Sequence, residues 1–233
     1  MKKLLAILLA IPGLAFAAGG ARLDAAPLNP NDRISLQHGA QIFVNHCLNC
    51  HSASAMRYSK LTDLGLSEGQ IRENLMFTAD KVGDPMSSIL ETKDGKAWLG
   101  VMPPDLSLVA RSRGADWIYT YMRGFYRDPA TRTGWNNTVF PNVGMPHVLW
   151  EYQGSQVLQA GDKGASKLVI GEPGKLSAGE YDKYVGDLVN FLVFMGEPVR
   201  AKRVQIGIVV IFFLVIFFVI TVLLKKEYWK DVR

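Results

Sequence analysis

Cysteine is nearly absent from this chain. Cys47 and Cys50 are its only two in 233 residues, which excludes a disulfide-built scaffold. A zinc centre wants four ligands, usually as two separated pairs, and no second cysteine pair exists; only His38, His46 and His147 are left to complete one. No βαβ pattern surrounds the two cysteines, as a thioredoxin-like redox site would require. A basic surface is also lacking. The formal charge is +5, but residues 18–199 carry 17 Lys and Arg against 19 Asp and Glu, a balance of −2. The excess of basic residues sits at the two ends, so the footprint of a nucleic-acid binder is missing. Internal repeats and low-complexity linkers are absent as well, leaving one domain of about 180 residues between the ends.

Long apolar runs are equally scarce, with one exception. Val204–Leu224 is 21 residues without a charge, and Gln205 and Thr221 are its only clearly polar members. At 1.5 Å per residue it would span about 31 Å, the thickness of a bilayer core. Arg200, Lys202 and Arg203 flank one end; Lys225, Lys226, Tyr228, Trp229, Lys230 and Arg233 flank the other. The aromatic pair suits a membrane interface. Met1–Ala17 has Lys2 and Lys3, a short apolar stretch from Leu4 to Ile11, and Ala15-Phe16-Ala17 as an A-x-A cleavage site. The expected organisation is a secretory signal at 1–17, an exported domain at 18–199, a membrane helix at 200–224 and a cytoplasmic tail at 225–233.

What is present carries sharper chemistry. Cys47-Leu48-Asn49-Cys50-His51 is the C-x-x-C-H pattern of covalent c-type haem attachment. Positions i, i+3 and i+4 share one face of a helical turn, so two thiols can reach the haem vinyl groups while His51 reaches the iron. Export agrees with this reading, because such haem is attached outside the cytoplasm. One haem c per chain would use both thiols.

The rest of the domain reads as mainly α. A first helix is expected over Asn31–His51, with Ile34, His38, Ile42 and Phe43 inward. Capping boxes at Ser67-Glu68-Gly69-Gln70 and Ser177-Ala178-Gly179-Glu180 open two more. The second of these carries Tyr181, Tyr184, Val185, Leu188, Phe191, Leu192 and Met195 on one side, until Gly196-Glu197-Pro198 interrupts it. Asp116–Phe125 is a further helix, with Trp117, Ile118, Tyr121 and Met122 at helical spacing. Long loops, notably Asp128–Pro146, are free to wrap a haem ring.

A thioether as sixth iron ligand would suit an electron carrier, because His/Met ligation raises the reduction potential. Met76, Met122 and Met195 fall at apolar helical positions suited to core filling, and Met56 follows His51 too closely to cross to the other haem face. Met102 and Met145 remain, each beside a proline in a loop. Met145 is favoured, since Gly144 and Pro146 permit a defined turn there. His147 is a bis-histidine rival; His38 and His46 are weaker ones.

Taken in order, the leader, Cys47-x-x-Cys50-His51, Met102-Pro103-Pro104-Asp105-Leu106-Ser107, Arg111-Ser112-Arg113, Phe140-Pro141-Asn142-Val143-Gly144-Met145-Pro146 and the C-terminal apolar helix resemble cytochrome c1 of the cytochrome bc1 complex, bacterial type. The resemblance covers nearly the whole chain, and the PPDLS segment and the anchor give it specificity. It implies a class I-like c-type cytochrome domain with haem-wrapping loops, Met145 as sixth ligand and Arg113 at a haem propionate. It also implies an electron-transfer role in quinol–cytochrome c oxidoreductase, with no quinone chemistry in this chain alone. Electrons would come from the Rieske iron–sulfur protein and leave to cytochrome c. Cytochrome b would hold the anchor in a dimeric complex of the bacterial inner membrane, with the haem domain in the periplasm. The chain departs from relatives at Gly114-Ala115-Asp116-Trp117, where a longer stretch often precedes a tyrosine; Trp117 stands as a substitute for that tyrosine's haem contact. Two other readings stay open: a membrane-anchored cytochrome feeding a terminal oxidase, and a haem sensor or peroxidase with an open sixth position.

Overall fold

The computed structural model describes residues 22–160 and 166–231; the expected leader at 1–17 lies outside the described residues. Asp32 starts the first helix. Its carboxylate accepts from the backbone N–H of Ile34 and Ser35 at 3.0 and 3.1 Å, answering two of the donors that a helix start leaves open. This helix, α1, spans Arg33–His46 and ends before the cysteine pair instead of running to His51. Ile34, expected inward, is 78% exposed. The buried stripe is Leu36, Gly39, Ala40 and Phe43, and Ile34 precedes Phe43 by about two and a half turns, which puts it on the opposite face.

The chain continues through β1 (Ala53–Arg57), a 3-10 segment (Tyr58–Leu64), α2 (Glu68–Asn74), β2 (Pro85–Met86), α3 (Thr92–Leu99), α4 (Val109–Ser112) and α5 (Ala115–Arg123). Then come β3 (Phe125–Arg127), β4 (Trp135–Asn137), α6 (Trp150–Gln153), β5 (Gly154–Ala160), β6 (Ser166–Pro173), α7 (Ala178–Gly196) and α8 (Arg200–Tyr228). Both capping boxes form, at Ser67/Gln70 and Ser177/Glu180. The architecture is mainly helical, but β1–β2, β3–β4 and β5–β6 pair as three antiparallel two-stranded sheets that the helical reading did not anticipate. One of them shortens the expected loop at 128–146, because β4 lies within it.

α1 and α7 form the centre. Gly39 allows their close approach: a Cβ there would lie 2.1 Å from the Asp187 carbonyl oxygen and 2.7 Å from the Phe191 Cβ. One helical turn on, the Phe43 and Phe191 rings meet at 5.7 Å. The Asp187 carboxylate is buried beside them and fully engaged by Ser35 Oγ (2.6 Å), His38 Nδ1 (2.8 Å) and Lys183 Nζ (2.7 Å), as a buried carboxylate must be. α5 lies across α7, with Tyr181 Oη donating to the Met122 carbonyl at 2.9 Å. Arg123 joins Asp182 on α7 to Asp24 on the N-terminal strand of chain, at 2.6 and 2.7 Å.

The chain breaks at Glu197 and resumes as α8. Lys202–Tyr228 within it is long and apolar enough to cross a membrane; its most apolar window has a mean hydropathy of 3.4 and none of it is buried against the rest of the protein. The helix runs past Leu224 because no Gly or Pro stops it, and Lys225 and Lys226 in the last turn favour its negative end. Glu197 pairs with Arg111 on α4 and Arg203 on α8, linking the domain to the base of the anchor.

Candidate functional site

One turn follows α1. The backbone N–H of Cys50 and of His51 both donate to the Cys47 carbonyl, at 3.1 and 2.8 Å, so the two thiols and the imidazole leave the same turn. Both thiols are free. Burial pushes Cys47 up to about 12, with Cys50 adding to the effect, and burial raises Cys50 too. Thiol–disulfide catalysts lower one thiol of such a pair; this pair is tuned the other way.

His51 Nδ1 lies 2.7 Å from the Pro104 carbonyl oxygen. That oxygen can only accept, so Nδ1 carries the proton and Nε2 keeps its lone pair. Burial holds His51 below the usual histidine value, against the opposing pull of Pro104 and Asp105; the ring is neutral at physiological pH, the form that binds iron. A neighbouring network fixes Pro104. Asp105 accepts from Ser54 N (2.9 Å), Ser54 Oγ (2.7 Å) and Ser107 N (2.7 Å). Leu106 N donates to the Ser52 carbonyl at 2.8 Å, and Ala55 N to Ser107 Oγ at 3.0 Å. Burial pushes the Asp105 carboxyl up, but the bonds from Ser107 and Ser54 together outweigh it and hold the group below its ordinary value. The PPDLS segment is thus laced to the four residues after His51.

The second half is built on α5. Trp117 and Tyr121 are four apart on α5 and share one side; Arg113 and Phe125, just beyond its two ends, extend the row. The Arg113 guanidinium lies 5.2 Å from the Trp117 ring. Trp117 stacks on Tyr121 at 4.8 Å and 11°, and Tyr121 meets Phe125 edge-on at 5.0 Å. Phe125 stacks on His147 at 4.9 Å and 1°. Against this row, Tyr121 Oη donates to Met145 Sδ at 3.4 Å.

Two buried asparagines hold the segment that carries Met145. Asn137 donates to the Tyr121 carbonyl at 2.7 Å and accepts from Val139 N and Phe140 N at 2.8 and 3.2 Å. Asn136 accepts from the N–H of Asn137 and of Asn142, both at 2.8 Å. Asn142 has φ +60° and is the only non-glycine with positive φ among the described residues; asparagine tolerates that conformation best.

The two candidate methionines, both half-buried, have different surroundings. Met145 lies beside Tyr121, in the middle of the aromatic row. Met102 packs on α3 instead: a Cβ on Gly95 would lie 2.8 Å from its sulfur. His147 is 1% exposed, neither ring nitrogen has a hydrogen-bond partner, and burial first, then Arg127, hold it down at about 4 against an opposing contribution from Gln153. His38 is committed to Asp187, and His46 meets Tyr152 edge-on at 5.3 Å. Arg113 is exposed. Sequence reasoning missed the Pro104 carbonyl, a backbone acceptor with no residue-type signal, and Tyr121, which the four-residue spacing of aromatic side chains could have flagged.

Two thiols and a neutral imidazole on one turn, with a thioether held by its own donor, fit a covalently bound haem by donor chemistry. The comparison with known proteins agrees. A family model described as the Cytochrome C1 family matches residues 24–163 and 174–232. The chain belongs to the cytochrome c1 family. A cytochrome c1 of Allochromatium vinosum is 44% identical over 97% of this chain and 96% of its own length. A protein of Nitrosomonas europaea named ammonia monooxygenase gamma subunit is 49% identical over 98% of this chain and 97% of its own. A cytochrome c1 of Rhodospirillum rubrum is 27% identical over 87% and 83%. Membership makes this chain a haem c protein, a haem subunit of the cytochrome bc1 kind.

Proposed function

We propose that the chain is the electron-transfer subunit of a quinol–cytochrome c oxidoreductase, with haem c held by Cys47 and Cys50, His51 as fifth ligand and Met145 as sixth. Bound haem supplies a one-electron couple between the Rieske iron–sulfur protein and cytochrome c. The residues of the chain do the rest. Pro104 fixes the tautomer and direction of His51, and Asp105 fixes Pro104. The Asn136/Asn137 scaffold sets the position of Met145. Arg113, stacked over Trp117 at the exposed end of the aromatic row, is the candidate for a propionate contact, since its fixed guanidinium fork suits a carboxylate. α8 anchors the subunit beside cytochrome b in a dimeric complex of the bacterial inner membrane, with the haem domain periplasmic and the C-terminus cytoplasmic.

The observation that carries this reading is the turn that bears two thiols and a Pro104-anchored His51, with Met145 Sδ accepting from Tyr121 Oη elsewhere in the domain, in a chain of the cytochrome c1 family. The deciding experiment is co-purification from detergent-solubilised membranes. Recovery of cytochrome b and a Rieske protein is the expected result; recovery with a terminal oxidase alone would overturn the assignment. The name of the Nitrosomonas europaea relative points to a second partner class, an ammonia-oxidising enzyme, which the same pull-down distinguishes. A third reading, an open sixth position, is favoured by no contact around Met145; carbon monoxide binding to the reduced protein decides it.

A further inference from the structure

Among the described residues, the hydroxyl of Tyr121 has one hydrogen-bond partner, the sulfur of Met145 at 3.4 Å. The ring around it is held on both sides, by Trp117 at 4.8 Å and by Phe125 at 5.0 Å, and its own carbonyl is held by Asn137 at 2.7 Å. Tyr121 is 9% exposed, and a phenolic hydroxyl is a hydrogen-bond donor. A thioether is a weak hydrogen-bond acceptor, and it is the one this hydroxyl meets.

We propose that Tyr121 is a positioning residue that tunes the sixth ligand: its hydroxyl holds the Met145 sulfur in place and raises the reduction potential of the bound haem. The inference rests on Met145 being that ligand. A thioether has two lone pairs. With one directed to iron, the other accepts from Tyr121 Oη. A hydrogen bond to the sulfur draws electron density from it and makes it a poorer donor to iron. The oxidised metal needs that donation more than the reduced metal does, so the reduced state gains. The same bond fixes the sulfur's rotamer before iron is bound, so little ordering is left to lose when it coordinates.

The test is an equilibrium redox titration of the full-length holoprotein in detergent, read together with the weak far-red band of methionine–iron(III) ligation. Tyr121→Phe keeps the ring and both stacking contacts and removes only the hydroxyl. It is expected to lower the potential and displace the band while leaving the urea midpoint close to wild type. Replacing Tyr121 by 3-fluorotyrosine, a stronger donor of similar size, is expected to move the potential upward. In a Met145→Leu background, Tyr121→Phe is expected to shift nothing further. An unchanged potential in both Tyr121 variants overturns the proposal, and so does an equal shift in the Met145→Leu background, since the effect would not then pass through the sulfur. Failure of the ligand assignment looks different: the far-red band would survive Met145→Leu.

Discussion

The two sides of the site are assembled in opposite ways. On the His51 side, three groups leave a single turn and one segment, Pro104–Ser107, is laced to the residues that follow. On the Met145 side, the sulfur reaches its place only because Asn136 and Asn137 fold the intervening chain back onto α5. In the first, spacing within five residues puts the two thiols and the imidazole on one turn, and a contact 53 positions away orients the imidazole. The second depends on contacts between residues 16 and 24 positions apart. Changes in packing should therefore displace Met145 while leaving the two thiols and the imidazole on their shared turn.

The largest effect should come from attacking the local half directly. His51→Ala is expected to prevent a stable holoprotein, and the Cys47→Ala, Cys50→Ala double variant to release all haem into acid-acetone, where wild type retains it on the polypeptide. Next, Met145→Leu should leave the haem covalently attached while abolishing the far-red band, admitting carbon monoxide and lowering the potential. Met102→Leu, altering a side chain packed against Gly95, should do none of these. The reverse pattern would move the ligand role to Met102 and remove the contrast between the two halves.

A smaller effect should separate the halves by their scaffolds. Asn137 is fully buried, and Asn137→Ala strands the backbone N–H groups of Val139 and Phe140 and leaves the Tyr121 carbonyl with the Gly124 N–H alone. The expected loss is about 2–3 kcal/mol in urea denaturation, with a weakened far-red band and intact covalent attachment. An unchanged band would show that the Asn scaffold does not govern the position of Met145.

The smallest effect concerns Asp105. Its carboxyl is held below the ordinary value of 3.8 in the folded state, so the stability it contributes is present above that value and is lost as pH falls through the lower folded value. Asp105→Asn should lower the urea midpoint slightly near neutrality, and the difference from wild type should fade in strong acid. Because Asp105 is exposed, solvent screens most of the electrostatic part. A difference that persists undiminished in acid would mean that the carboxylate charge is not what steadies Pro104.

Much of the molecule was legible in the residues. The C-x-x-C-H turn, both capping boxes and the apolar anchor are local signals, because hydrogen bonds within a few residues and unbroken hydropathy are fixed by neighbours in the chain. Ile34 departs from the expected inward row of α1, since residues spaced by four drift about 40° per step and Ile34 lies beyond the edge of the buried face. The three two-stranded sheets were not visible; short strands such as Phe125–Arg127 take their stability from what they pack against. The sequence favours Met145 over Met102 on local turn chemistry alone, each being a methionine beside a proline; the fold adds only that their surroundings differ, a phenol at one sulfur and Gly95 at the other. Sequence alone determined that this chain carries the attachment turn and the membrane helix. Only the fold decided which carbonyl orients His51 and which hydroxyl meets Met145, because both contacts join segments whose distance along the chain leaves no periodic trace.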